Sequence, residues 1–114
     1  MRQLFKSLAL ATAMTFLVVG GASAANVPES TDPIKVIKND WTGQLFSTEV
    51  LGGLLQKMGY NIEYVSAGAL PQHPGIAQGN LHVQTEVWTN NVGDLYPGLV
   101  DKGEIVVVGD LGLD

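Results

Sequence analysis

From Ile34 onward, short β-rich runs alternate with stretches of helical period. Ile34 to Asn39 (IKVIKN), closed by Asn39-Asp40, predicts a first strand. Leu45, Phe46, Val50, Leu51, Leu54, Leu55 and Met58 then recur at three and four, which predicts a helix with one apolar face ending at Gly59. Gly52 and Gly53 each weaken such a helix by about 1 kcal/mol relative to alanine, so close approach of helix to sheet is expected there. Asn61 to Ser66 (NIEYVS) predicts a second strand, with Ile62, Tyr64 and Ser66 on one face. A loop with Gly68, Pro71, Pro74 and Gly75 follows, then about one helical turn over Gly75 to Gly79. Leu81 to Trp88 (LHVQTEVW) alternates apolar and polar residues and predicts a third strand. Val92 to Lys102 carries Leu95, Leu99 and Val100 at helical spacing, with Pro97 acceptable only near the first turn. Glu104 to Val108 predicts a last strand.

This order predicts an α/β layer with a mainly parallel sheet. Right-handed crossovers put the carboxyl ends of the strands on one rim, where open α/β sheets bind ligands. Trp41 follows the first strand and Trp88 ends the third, so both tryptophans of the sequence fall on that rim. A tryptophan at a strand end can fill a core or dock a ligand, and position alone leaves the choice open.

Residues 1–24 are set apart from this fold. Arg2 and Lys6 precede the apolar stretch Leu8 to Gly20, and Ala22-Ser23-Ala24 is an A-x-A cleavage pattern, so an export signal is expected. The apolar part is too short to span a bilayer. Residues 25–33 read as a flexible lead-in, and 34–114 as a first lobe of a binding domain that continues past Asp114. The formal net charge is −5, and loss of Arg2 and Lys6 with the leader makes it more negative. Such an acidic domain does not suit nucleic acid or an anionic membrane surface, and no membrane insertion is expected after cleavage. The sequence has no cysteine, which excludes disulfides, thiol catalysis and a lipid-modified N-terminal cysteine. A periplasmic location fits these features best.

No catalytic or metal-binding set is expected. His73 and His82 are the only imidazoles, and neither has metal-ligand spacing around it, so a surface or hydrogen-bonded role is expected for both. Nucleophile-elbow, phosphate-loop and dinucleotide motifs are absent, so neither a cofactor nor turnover is expected. The rim suits binding better. An indole face attracts a quaternary ammonium, by about 2 kcal/mol or more when desolvated. A carboxylate or oxide on the same ligand could meet backbone amides of the Thr42-Gly43-Gln44 turn. Asp40 and Glu86 fall beside the tryptophans, and Glu86 could offset a cation or simply make a structural hydrogen bond.

Asn39-Asp40-Trp41-Thr42-Gly43-Gln44-Leu45-Phe46, then Lys57 to Asn61 (KMGYN), Pro74 to Leu81 (PGIAQGNL) and Glu86-Val87-Trp88 resemble the glycine betaine/proline betaine substrate-binding proteins of ABC transporters. The resemblance runs from about Ile34 to Gly109. It implies one lobe of a two-lobed, type II periplasmic binding protein-like fold, with the second lobe absent from this chain. It also implies tryptophans caging a trimethylammonium group, with Trp88 matching one of them and Trp41 another, and an ABC transporter permease as partner. Some members carry a carboxylate-binding histidine four residues after the tryptophan matched by Trp88, where this chain has Val92. Choline, carnitine and trimethylamine N-oxide therefore stay open beside glycine betaine. So do a sensory binding module and an α/β enzyme whose catalytic residues lie outside this stretch.

Overall fold

The structure, a computed structural model, describes residues 27–112. The expected leader over 1–24 lies outside them. Strand β1 (Ile34–Lys38) is followed by helix α1 (Thr42–Lys57), strand β2 (Ile62–Ser66), helix α2 (Gln72–Ala77), a 3-10 turn over Thr89–Asn91 and helix α3 (Leu95–Asp101). β1 and β2 pair in parallel, with Val36 opposite Tyr64. The order β1, α1, β2, α2 and α3 and the parallel pairing of the two strands are as predicted, while the two further strands expected are not formed. Pro97 is the third residue of α3, where the missing N–H costs no helical bond. α2 begins three residues before Gly75 and takes Pro74 into its first turn.

The predicted third strand is not a strand. Its only ladder contact is a parallel bridge between Val36 and Val83. Lys35 O accepts from His82 N and Val83 N, and Ile37 N donates to Val83 O at 2.9 Å. Pairing then stops, and the next polar side chains take over the bonding. His82 already begins this, since its Nδ1 accepts from Lys35 N at 3.0 Å. The predicted last strand is also missing: Glu104 to Val108 pairs with no strand, and only Ile105 is buried while Val106, Val107 and Val108 are exposed. A β-rich composition without a neighbouring ladder is not enough to make a strand.

Helix α1 turns a different face to the sheet from the one its apolar period predicts. Its buried residues are Gln44, Thr48 and Gly52, one per turn. Phe46, Val50, Leu54 and Met58 form a stripe on the solvent side, with Phe46 72% exposed. The reason is bonding and clearance. Gln44 Nε2 and Thr48 Oγ1 both donate to Ile37 O, at 2.7 and 3.2 Å, at the end of β1. One turn on, Gly52 sits over Tyr64, and a Cβ there would lie 2.1 Å from Tyr64 Oη. The expected packing reason thus holds for Gly52, whereas Gly53 has open space around it.

Val36 and Ile37 are fully buried, and Val92, Leu99 and Ile105 complete the buried apolar set among the described residues. Where a flexible lead-in is expected, Tyr60 Oη donates to Glu29 Oε2 at 2.5 Å and Asn61 Nδ2 to Thr31 O at 2.6 Å. Residues 29–31 are thereby tied to the start of β2. On the α1 side of the sheet, Lys38 Nζ meets Glu49 Oε1 at 2.6 Å and holds that carboxyl below its usual range. The same ammonium stands 5.3 Å from the Tyr64 ring centre.

Two outcomes test this packing. Gly52→Ala should lower the urea midpoint by about 1–3 kcal/mol of stability through overpacking. Adding Tyr64→Phe, which removes the clashing hydroxyl, should restore part of that loss.

Candidate ligand-binding site

The carboxyl ends of β1 and β2 and the unpaired segment after Val83 converge on a cleft of about 370 Å³. Trp41 enters it from the head of α1, Ala69 and Gln72 from the β2–α2 connection and α2, and Glu86, Trp88, Asn91 and Val92 from the stretch before α3. Trp41 is the residue preceding α1, in extended conformation, because Asn39 and Asp40 end β1 and the helix begins at Thr42. Trp88 holds the same position before the 3-10 turn, also extended. It is 45% exposed, so it does not fill a core.

One carboxylate joins the two indoles. Trp41 Nε1 donates to Glu86 Oε1 at 2.7 Å, and Trp88 Nε1 donates to the same oxygen at 2.6 Å. Glu86 is 7% exposed and, among the described residues, is the only charged side chain on the cleft wall. An N–H bond lies in the indole plane, so each ring meets the carboxylate with its edge. The ring faces are left free of that contact. Glu86 Oε2 lies against Gly43, where a Cβ would come within 2.9 Å of it.

Beneath the cleft is a cluster of neutral amides. Asn39 N donates to Gln44 Oε1 at 2.9 Å, and Asn39 Nδ2 to Ala67 O at 2.7 Å and Gln72 Oε1 at 3.1 Å. Gln44 Nε2 donates to Gln84 Oε1 at 2.8 Å, while Gln84 Nε2 donates to Asn39 Oδ1 at 2.7 Å and to Gln72 Oε1. Gln84 Oε1 also accepts from Thr85 N and Glu86 N, at 2.8 and 3.3 Å, which fixes the backbone that carries Glu86. Ser47 and Thr48 reach the same segment through Thr85 Oγ1, at 2.9 and 3.0 Å. Buried polar groups are tolerated when bonded in this way.

The structure brings together Trp41, Trp88 and Glu86 of the predicted site residues. It does not bring Asp40, Thr42, Gly43 or Gln44 to the cleft wall. Asp40, Thr42 and Gly43 are exposed, and Gln44 is spent on the amide cluster. Gln72, Asn91 and Ala69 line the cleft without having been singled out. Their only signal was proximity to the strand ends. Val92 is buried at the cleft wall and presents an apolar side chain there.

The two histidines differ. His82 is hydrogen-bonded, as expected. His73, beside Gln72 on α2, is not at the surface: it is 1% exposed, and neither ring nitrogen has a hydrogen-bond partner among the described residues. Its ring packs 5.0 Å from that of Tyr96 on α3. Burial pushes this imidazole below its usual range. Among the described residues no group of acidic, histidine or cysteine side chains is placed to hold a metal. None of the described helices is long and apolar enough to cross a membrane.

An α/β lobe with two indoles at the carboxyl rim of parallel strands has the form of a ligand-binding domain. The comparisons make the class specific: residues 32–114 match the family described as the substrate binding domain of ABC-type glycine betaine transport system, and the chain belongs to that family. A protein of Pelagibacter ubique (strain HTCC1062) named trimethylamine N-oxide-binding protein is 30% identical over 105 residues. That alignment takes in 92% of this chain and 33% of the relative, so the chain spans about a third of the relative's length. No solved structure gives a significant match.

Two measurements check the frame of the cleft. Gln84→Ala removes both halves of the central amide and should cost about 2–3 kcal/mol in urea unfolding, since several buried partners lose their bonds. The buried imidazole sets a pH dependence. The unfolded chain takes up a proton at His73 near pH 6.5 while the folded chain resists it, so its contribution to stability is full above 6.5 and falls as pH drops through the interval below. His73→Phe should flatten the stability profile below about pH 6.5 relative to the parent.

Proposed function

We propose that this chain is a lobe of an extracytoplasmic solute-binding protein of an ABC importer, which captures a small methylated amine and delivers it to a membrane permease. The observation that carries this reading is the pairing of Trp41 and Trp88 on one cleft, with their N–H edges occupied by Glu86. Two indoles lining one cleft, with a buried anion at their edges, favour a cation that needs no hydrogen-bond acceptor, as a quaternary ammonium does. The leader over 1–24 supports export, and the family supports binding rather than turnover.

The ligands in view are glycine betaine, choline, carnitine and trimethylamine N-oxide. The family description favours the first, and the name of the Pelagibacter relative favours the last. Val92 supplies no charge to a ligand carboxylate, so that group must find its partners elsewhere, such as a facing lobe. Closure of such a lobe over the indoles would exclude water and strengthen the cation contact.

Titration of the full-length protein with the four compounds, followed by tryptophan fluorescence, tests the reading. At least one should bind in the micromolar range, and Trp88→Ala should weaken it about 30-fold, the equivalent of about 2 kcal/mol. Failure of all four to bind below millimolar, or an unchanged affinity in Trp88→Ala, would overturn it.

A further inference from the structure

We propose that Glu86 is the residue that gives the cleft its preference for a cation, by positioning both indoles through one shared oxygen and placing its charge at their edges. The inference rests on the reading of the cleft as a methylated-amine site and names the source of its selectivity. Trp41 stands before α1 and Glu86 lies 45 residues further on, two before Trp88, yet both Nε1 atoms lie within 2.7 Å of Glu86 Oε1. Each bond is charge-assisted, and such bonds are stronger and more strictly oriented than neutral ones. Removing the shared oxygen therefore releases both rings at once.

The placement of the charge matters as much as the geometry. A carboxylate that accepts an indole N–H stands at the ring edge and draws the proton away from the ring. The ring face then becomes more negative, and two rings share the same source. Among the described residues Glu86 is the only charged side chain of the cleft wall, so none of them opposes its field there. Gly43 is part of the device: its missing side chain leaves room for Oε2, which a Cβ would approach to 2.9 Å. The backbone bond from Glu86 N to Gln84 Oε1, at 3.3 Å, ties the carboxylate to the amide cluster beneath.

The test uses the full chain in two measurements. In the ligand-free protein, the nitrogen-proton correlation peaks of the Trp41 and Trp88 indoles are assigned with Trp41→Phe and Trp88→Phe. Glu86→Gln, which keeps an oxygen but loses the charge, should move both peaks upfield. Trp41→Phe should move the Trp88 peak downfield, because the oxygen then serves one donor. Choline and its uncharged isostere 3,3-dimethylbutan-1-ol are then titrated. In Glu86→Gln the affinity ratio of choline to the alcohol should fall about tenfold, with the alcohol nearly unchanged. Gly43→Ala keeps the charge but displaces it, and should shift the same peaks and lower the same ratio if Glu86→Gln does not fold. Unmoved indole peaks, or an unchanged ratio, in a protein that binds choline overturn the proposal alone. A parent protein that binds none of glycine betaine, choline, carnitine and trimethylamine N-oxide overturns the amine reading and the selectivity together; where one of the other three binds and choline does not, that ligand replaces choline in the comparison with the uncharged alcohol.

Discussion

The side-chain oxygen of Gln84 accepts from Gln44, from Thr85 N and from Glu86 N, and the arrangement of the cleft depends on it. Strand pairing beside β1 ends at Val83, so the segment that carries Glu86 and Trp88 has no ladder to define its path. An irregular segment near a core needs partners for its backbone amides. Here Thr85 N and Glu86 N both find the side-chain oxygen of Gln84, whose amide is in turn held by Asn39 just after β1, Gln44 on α1 and Gln72 on α2. The position of Glu86, and through it the orientation of both indoles, is inherited from that cluster.

This also explains why α1 presents polar and small residues to the sheet. An apolar face would have buried more hydrocarbon, but it could not have bonded Ile37 O, Gln84 and Thr85 from two successive turns. Nor could a larger residue at 52 have cleared Tyr64. The side of α1 that looks to the sheet holds the cleft in register, and its apolar stripe of Phe46, Val50, Leu54 and Met58 is left outside.

Reading the sequence by period recovered β1, β2 and α3, where local propensity and burial agree, and it recovered the span of α1 but not the face that α1 buries. It failed at Leu81 to Trp88, where alternation arose from His82 and Gln84 bonding to neighbours rather than from a pleated ladder. It failed again at Glu104 to Val108, where β-branched residues meet no partner strand. Of the site, Trp41, Trp88 and Glu86 were legible because strand ends converge on one rim and aromatic residues there stand out. Asn39, Gln72 and Gln84 were not, since a neutral amide has no characteristic spacing and its role appears only when distant elements meet. Gln44 was visible but assigned to the wrong task.

The composition of the frame has a further consequence. Asn39, Gln44, Gln72, Gln84, Ser47, Thr48 and Thr85 are joined without an ion pair, and the salt bridge found among the described residues, Lys38 with Glu49, lies outside this cluster. Dissolved salt weakens interactions between exposed charges, with a screening length of about 8 Å at physiological ionic strength and about 3 Å at 1 M. Bonds between uncharged dipoles are not weakened in that way. The scaffold under the indoles is therefore built to keep its shape in brine as in dilute water.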